Sequence, residues 1–334
     1  MTWFERLTGI EERNPEYVRS QLDLEGETLV SRANSQRWQV GCLETPSLGE
    51  LRERVGQLDL PTGRLQVGEV VADARVLHAD PNNASALFQV ASQFNLLEMF
   101  GPERTPEHGI GIYEDDPTQG PVCATAAGAG TIYRNYLVPV YDRTGQSADN
   151  QIDCLADLGE ALGNQGQQLW AMHNGYALAT ESGLAVISGQ LERASESERD
   201  ELRARLRIGL QWNTQVTIPG CDHTISQAYC SALPVAYSHL PVSLWEPFAR
   251  LVLEASYEAV ILAGLLNRVT TGNPHVYLTL IGGGAFGNED DWIMESIQRS
   301  VETLHPHPLE LNVVSYGRSK PSIQTMIARI EWAA

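Results

Sequence analysis

From residue 275 onward the chain alternates in a way that few folds accommodate. A strand-like run over 275–281, HVYLTLI, leads into the glycine-rich GGGAFGN. A helix-like EDDWIMESIQRSVETL (about 290–304), a second strand-like run ELNVVSY and a helix-like SIQTMIARI follow. Strands alternating with helices indicate an α/β domain with helices on both faces of one sheet.

The junction LIGGGAFGN satisfies G-x-G-x-x-G through Gly282, Gly284 and Gly287. A dinucleotide fingerprint of that form follows the first strand of a sheet and needs an acid about 20 residues on that closes the second strand. Here too little chain follows Gly287 to build that sheet, and Glu310 opens the next strand instead. No lysine follows the glycines, which excludes a Walker A loop. Successive glycines cost backbone entropy without adding packing. Between a strand end and a helix start they expose several N–H groups toward one point. Gly282, Gly283, Gly284, Ala285, Phe286, Gly287 and Asn288 are therefore expected to form an anion cradle.

The rest of the chain supplies the layers. SLGELRERV reads as an amphipathic helix, GEVVADARVLHAD and SALFQVAS as strands, and TQGPVCATAAGAGTIYRNYL as a helix rich in small residues. QIDCLADLGEALG and QLWAMHNGYALATESGLAVISGQLE read as two more helices, and WEPFARLVLEASYEAVILAGLLNRV as a long apolar one. The whole chain, 1–334, is expected to be one domain, with 1–60 an extension packed on a core of 65–334. The formal charge of −19 repels polyphosphate backbones, so nucleic-acid binding is not expected. Five widely spaced cysteines, never in C-x-x-C, suit neither a disulfide framework nor a zinc site. With no apolar signal core and no membrane-length apolar run, the expectation is a soluble cytoplasmic protein, off the membrane.

A second concentration of polar chemistry lies in QFNLLEMFGPERTPEHGIGIYEDDPTQGPVC. It places Gln93, Asn95, Glu98, Asp115, Asp116, Thr118, Gln119 and Gly120 between a strand end and a helix N-terminus. Helix starts attract phosphate, and nearby carboxylates orient a sugar or activate water. Asp116 and Asp115, with Glu98, are the candidate acids, although DPT before a helix is also ordinary capping. Asp222 and His223, in PGCDHTISQ, form a further polar pair, either a turn with its cap or a contact for a polar leaving group. Gln227, Tyr229 and Ser231 alternate along one strand and suggest a pocket lining. Tyr133-Arg134-Asn135 anchors a loop or meets a phosphate. Cys123 and Cys230 lack a neighbouring histidine, and His305 and His307 sit in a proline-broken linker. No cofactor or metal is called for.

Together the two loops resemble the macrodomain superfamily, which includes the poly(ADP-ribose) glycohydrolases. LTLIGGGAFGN resembles its diphosphate loop, with Phe286 at the position of a ribose-flanking aromatic. VASQFNLLE followed by DDPTQGPVCA resembles its ribose loop, with Asn95 in place of the ribose-binding asparagine. WFERLTGIEE, FQVASQFNLLEM, TQGPVCATAAGAGTIYRNY, SQAYCSALPVAYS and LIGGGAFGNEDDW are similar to a subgroup of large macrodomain-like proteins. That subgroup includes a Legionella effector, MavL, that removes ADP-ribose from arginine on ubiquitin. The resemblance implies a three-layer α/β/α fold with a mixed central sheet and an N-terminal extension. It also implies hydrolysis of ADP-ribose from a modified protein, ubiquitin being one such partner, with catalytic acids drawn from Asp116, Asp115, Glu98 and Asp222. The chain departs from the glycohydrolases in lacking their paired Gln-Glu-Glu after the glycines. That leaves open a reader that binds ADP-ribose without turnover, and an enzyme acting on a free ADP-ribose derivative.

Overall fold

The computed structural model describes residues 1–333. The central sheet is built from β1 (Cys42–Glu44), β2 (Gln66–Val71), β3 (Leu87–Ala91), β4 (Gly209–Gln215), β5 (Thr224–Cys230), β6 (His275–Leu278) and β7 (Glu310–Ser315). Their order across the sheet is β1-β4-β5-β3-β6-β7-β2. From β5 to β2 every pairing is parallel, while β4 runs antiparallel to both β5 and β1. The sheet is therefore mixed.

Adjacent residues of a strand point to opposite faces, and the apolar pattern uses both. Leu87, Val276, Leu311 and Val313 join a cluster with Leu253, Val260 and Ile297. These come from α6 (Val242–Thr271) and α7 (Asp290–Leu304), which with α8 (Pro321–Ala333) lie on that side. Phe88, Ile225 and Tyr277 instead meet Ala127 and Leu77, beside α2 (Ala74–Ala79), α3 (Gln119–Ala126) and α4 (Gly128–Ile132). The result is three layers, α/β/α.

α6 is apolar nearly all round because α1 (Leu48–Gly56), α5 (Glu181–Arg193) and α7 also pack against it. Its one deeply buried acid, Glu258, is paired with Arg52 at 2.6 Å and Arg299 at 3.0 Å, as a charge withdrawn from water requires. No helix among the described residues is long and apolar enough to cross a membrane.

Two segments depart from the sequence expectation. GEVVADARVLHAD is a strand only as far as Val71; Asp73 then caps α2, its carboxylate accepting from the Arg75 amide at 2.7 Å. QLWAMHNGYALATESGLAVISGQLE opens as an antiparallel hairpin, Trp170–His173 with Tyr176–Ala179, and becomes helical only at Glu181. Asn174 and Gly175 at its turn have φ of 47° and 81°. Asn-Gly favours this left-handed pair, and it ends the helix reading.

The N-terminal segment carries two short helices and a three-stranded antiparallel sheet, Leu22–Glu25, Thr28–Ser31 and Arg37–Gln39. Trp3, Phe4, Ile10 and Leu29 form a cluster with Leu97, Met99, Ile110, Tyr113 and Tyr136. The extension thus packs on the loop that carries the candidate acids.

Candidate functional site

A cavity of about 180 Å³ opens where β3, β5 and β6 end side by side. Crevices outside the carboxyl ends of parallel strands are the usual ligand position in α/β sheets. Three chain segments wall this one.

The first segment follows β3. Gln93 stitches its own loop, its side chain accepting from the Met99 amide at 2.9 Å and donating to the Met99 carbonyl at 3.3 Å. Asn95 accepts from the Leu97 amide at 3.1 Å and donates to Gln151 at 2.8 Å, so both ends of its buried amide group are engaged inside the protein. Leu96 holds φ of 65°, a left-handed turn that reverses the chain and returns Glu98 to the cavity wall.

The second segment enters α3. Asp116 accepts from the Thr118 amide at 2.8 Å, the Asx turn expected before a helix. The Gln119 side chain accepts from the Ala91 amide at 2.9 Å and donates to the Gln89 carbonyl at 2.8 Å, which locks α3 to the end of β3. At Gly120 a Cβ would stand 2.0 Å from the Ala91 carbonyl oxygen, so only glycine permits this approach.

The third is the glycine loop. The amides of Gly283, Gly287 and Asn288 are taken by loop carbonyls, while those of Gly284, Ala285 and Phe286 have no partner among the described residues. Gly282 sits at φ of 76° with Ala232 and Asn288 packed against it, whereas a Cβ at Gly284 would meet nothing within 4 Å. Three successive free amides beside a cavity are an anion nest. Phe286 joins Tyr176 and Tyr237 in an aromatic cluster, with ring centroids 5.2–5.5 Å apart.

Of the residues singled out from sequence, Gln93, Glu98, Asp116, Thr118, Gln119, Gly120, Gly282, Gly284, Ala285 and Phe286 line this one cavity. Gly283, Gly287 and Asn288 support the loop from behind; Asn288 donates to the Leu233 carbonyl at 2.8 Å. Asp115 is exposed and off the wall. Asn95 does not reach the cavity, because its amide group is spent on Leu97 and Gln151. Asp222 lies ahead of β5, at the opposite end of the sheet, where His223 meets the His78 carbonyl at 2.9 Å. Gln227, within β5, is buried between the sheet and α3, donating to the Cys123 carbonyl at 3.0 Å. The lining residues Tyr176, Tyr237 and Phe100 carried no prior signal. Tyr176 was hidden by the helix reading of the hairpin, and its Asn-Gly turn is the clue that exposes it.

Glu98 is the deeply buried acid of the cavity wall. It is 2% exposed, and neither carboxyl oxygen has a hydrogen-bond partner among the described residues. Burial pushes its pKa up to about 8, against the opposing pull of Arg134. The Arg134 guanidinium lies 3.8 Å away, itself fully buried. It is satisfied elsewhere, donating to the Leu96 carbonyl at 3.0 Å, to Thr131 at 3.1 Å and to the Tyr229 hydroxyl. Its carbon lies 3.6 Å from the centre of the Tyr229 ring. Arg134, set apart in the sequence as a loop anchor or phosphate contact, is thus the neighbour that restrains a buried acid. Burial raises the Cys123 and Cys230 thiols, the latter to about 12, so neither is a ready nucleophile. No cluster of His, Cys, Asp or Glu among the described residues is arranged to hold a metal ion.

No family model matches the chain, and no curated protein matches it. Among solved structures it is similar to a mutant poly(ADP-ribose) glycohydrolase from Deinococcus radiodurans in complex with ADP-ribose. The TM-score is 0.46 and the identity 12%, covering 87% of this chain and 94% of that one. It is also similar to the poly(ADP-ribose) glycohydrolase from Thermomonospora curvata, at TM-score 0.44 and 10% identity, over 94% of this chain and 95% of that one. The inhibitor-bound form of the Thermomonospora protein gives 0.43 and 11% over the same shares. At this level of likeness, the chemistry is read from the cavity's own atoms.

Proposed function

We propose that this cavity binds the terminal ribose and diphosphate of ADP-ribose and hydrolyses the bond joining that ribose to a modified protein, at an arginine side chain. The observation that carries this is Glu98: a buried carboxyl with no hydrogen-bond partner among the described residues, its pKa pushed up by burial, on the same cavity wall as three free amides. The amides of Gly284, Ala285 and Phe286 suit a diphosphate. The volume is below the roughly 300–1,000 Å³ of a whole small-molecule site, so the adenosine lies outside, over the Tyr237 and Phe286 rings.

Glycosidic hydrolysis passes through an oxocarbenium-like state and needs one group to protonate the leaving atom and another to activate water. Glu98 donates its proton to the departing guanidine nitrogen as the carbon–nitrogen bond breaks and the bonding pair moves to nitrogen. Asp116 accepts a proton from the water whose oxygen attacks the anomeric carbon. ADP-ribose and the guanidinium of arginine are the products, and solvent proton exchange resets both acids. Asp116 at the cavity mouth also suits a cationic leaving group.

Incubation with arginine-linked ADP-ribosyl conjugates, ADP-ribosylated ubiquitin among them, tests the proposal through release of free ADP-ribose. Tight binding with no release at high enzyme concentration refutes hydrolysis and leaves a reader. Release from small ADP-ribose derivatives alone points to a free substrate.

A further inference from the structure

A second cavity, of about 450 Å³, lies beyond Asp116, and Asp116 is the one residue that lines both. Its walls come from elements remote in sequence: Trp3 and Leu7 of the N-terminal helix, Arg75 of α2, and the segment around Glu114. Two arginines stand in it. Arg6 is committed to Glu114 at 2.6 Å. Arg75 is exposed, and its guanidinium makes no hydrogen bond or ion pair among the described residues. Of the two cations lining this cavity, Arg75 is the one left uncommitted, and it stands beside the apolar Trp3 and Leu7.

Resting on the function proposed above, we propose that this second cavity is the acceptor site, and that it takes an acidic polypeptide segment flanking the modified arginine. A substrate whose anomeric carbon sits at Asp116 places its sugar and diphosphate in the first cavity, so its leaving group emerges into the second. Trp3 and Leu7 cover apolar parts of the segment. Arg75 recognises a carboxylate on it, at a distance where the overall negative charge of the protein is screened. Because Arg75 lies outside the first cavity, it contributes to the affinity for the conjugate and not to that for ADP-ribose.

The test is an affinity measurement in the Glu98→Gln background, which removes turnover from the comparison. Three probes are titrated: ADP-ribose, an arginine-ADP-ribosylated peptide with Asp or Glu on both sides, and the same conjugate with Asn and Gln there. The acidic conjugate is expected to bind about three- to fivefold more tightly than the neutral one, the worth of an exposed charge pair. The gain should shrink with added salt. Arg75→Ala should erase it and Arg75→Glu reverse it, with the affinity for ADP-ribose unchanged in both. Equal binding of the two conjugates, or a gain that survives Arg75→Glu, overturns the acceptor site while the ADP-ribose arm still reports on the first cavity. If no probe binds, the proposed function falls and the acceptor site with it.

Discussion

Replacing Glu98 by Gln separates what this carboxyl does for catalysis from what it does to stability. With a pKa of about 8, Glu98 is ~90% protonated at pH 7, whereas a carboxyl at its ordinary 4.5 is ~0.3% protonated. The buried acid is therefore charged with a proton at the pH where it is needed. The acid-dependent rate should hold below pH 8 and fall about tenfold per pH unit above it, and Glu98→Gln should lose roughly 10²–10⁴ in kcat. Stability moves the other way. Between pH 4.5 and 8 the unfolded chain has released this proton and the folded chain still holds it. The folded state thus binds more protons, and stability falls as pH rises. The slope is about 1.4 kcal/mol per pH unit, on the order of 3 kcal/mol by pH 7. Gln carries no such penalty. Urea unfolding of both proteins at a series of pH values should show a variant that gains on the parent steadily from pH 4.5 to 8, with no difference in slope outside that window. A constant offset across pH, or a kcat indifferent to both pH and substitution, refutes a buried protonated Glu98.

Other substitutions probe the walls. Gly284→Val should fold normally, since its Cβ meets open space, yet weaken ADP-ribose binding at least about tenfold by covering the nest; Gly282→Ala, at φ of 76° and crowded by Ala232, should instead cost about 1–3 kcal/mol in denaturant unfolding. Phe286→Ala should lower ADP-ribose affinity by an amount in the range of about 1–3 kcal/mol, as loss of a base-stacking aromatic does, measured by calorimetry. Glu12 accepts from the Ile110 and Gly111 amides at 2.8 and 2.7 Å and from the Tyr136 hydroxyl. Glu12→Ala should cost about 3 kcal/mol, near 1 for each lost bond, and speed proteolysis of the loop before Asp116.

The sequence made much of this site legible, for physical reasons. Strand, glycine loop and helix in succession leave little freedom for Gly282 to Phe286, and Thr118 to Gly120 fall where a helix must start. Glu98 was visible as an acid in an apolar run, but its burial was not, because Arg134 and Tyr229 approach it only in the fold. Asn95 has the residue type of a ligand, but its amide group braces Leu97 and Gln151, partners that only the fold brings to it. Gln227 and Asp222 depended on which end and which face of β5 they occupy, and strand periodicity alone does not supply that. The hairpin at Asn174-Gly175 was obscured by a long apolar stretch that suits helix and strand alike. Tyr176 was lost with it.

Calorimetric titration of the protein with ADP-ribose is the most direct measure of the central claim. Saturable one-to-one binding, in the micromolar to low-millimolar range and weakened at least about tenfold by Gly284→Val, is the predicted result. No heat of binding across that range, or binding that Gly284→Val leaves untouched, contradicts it.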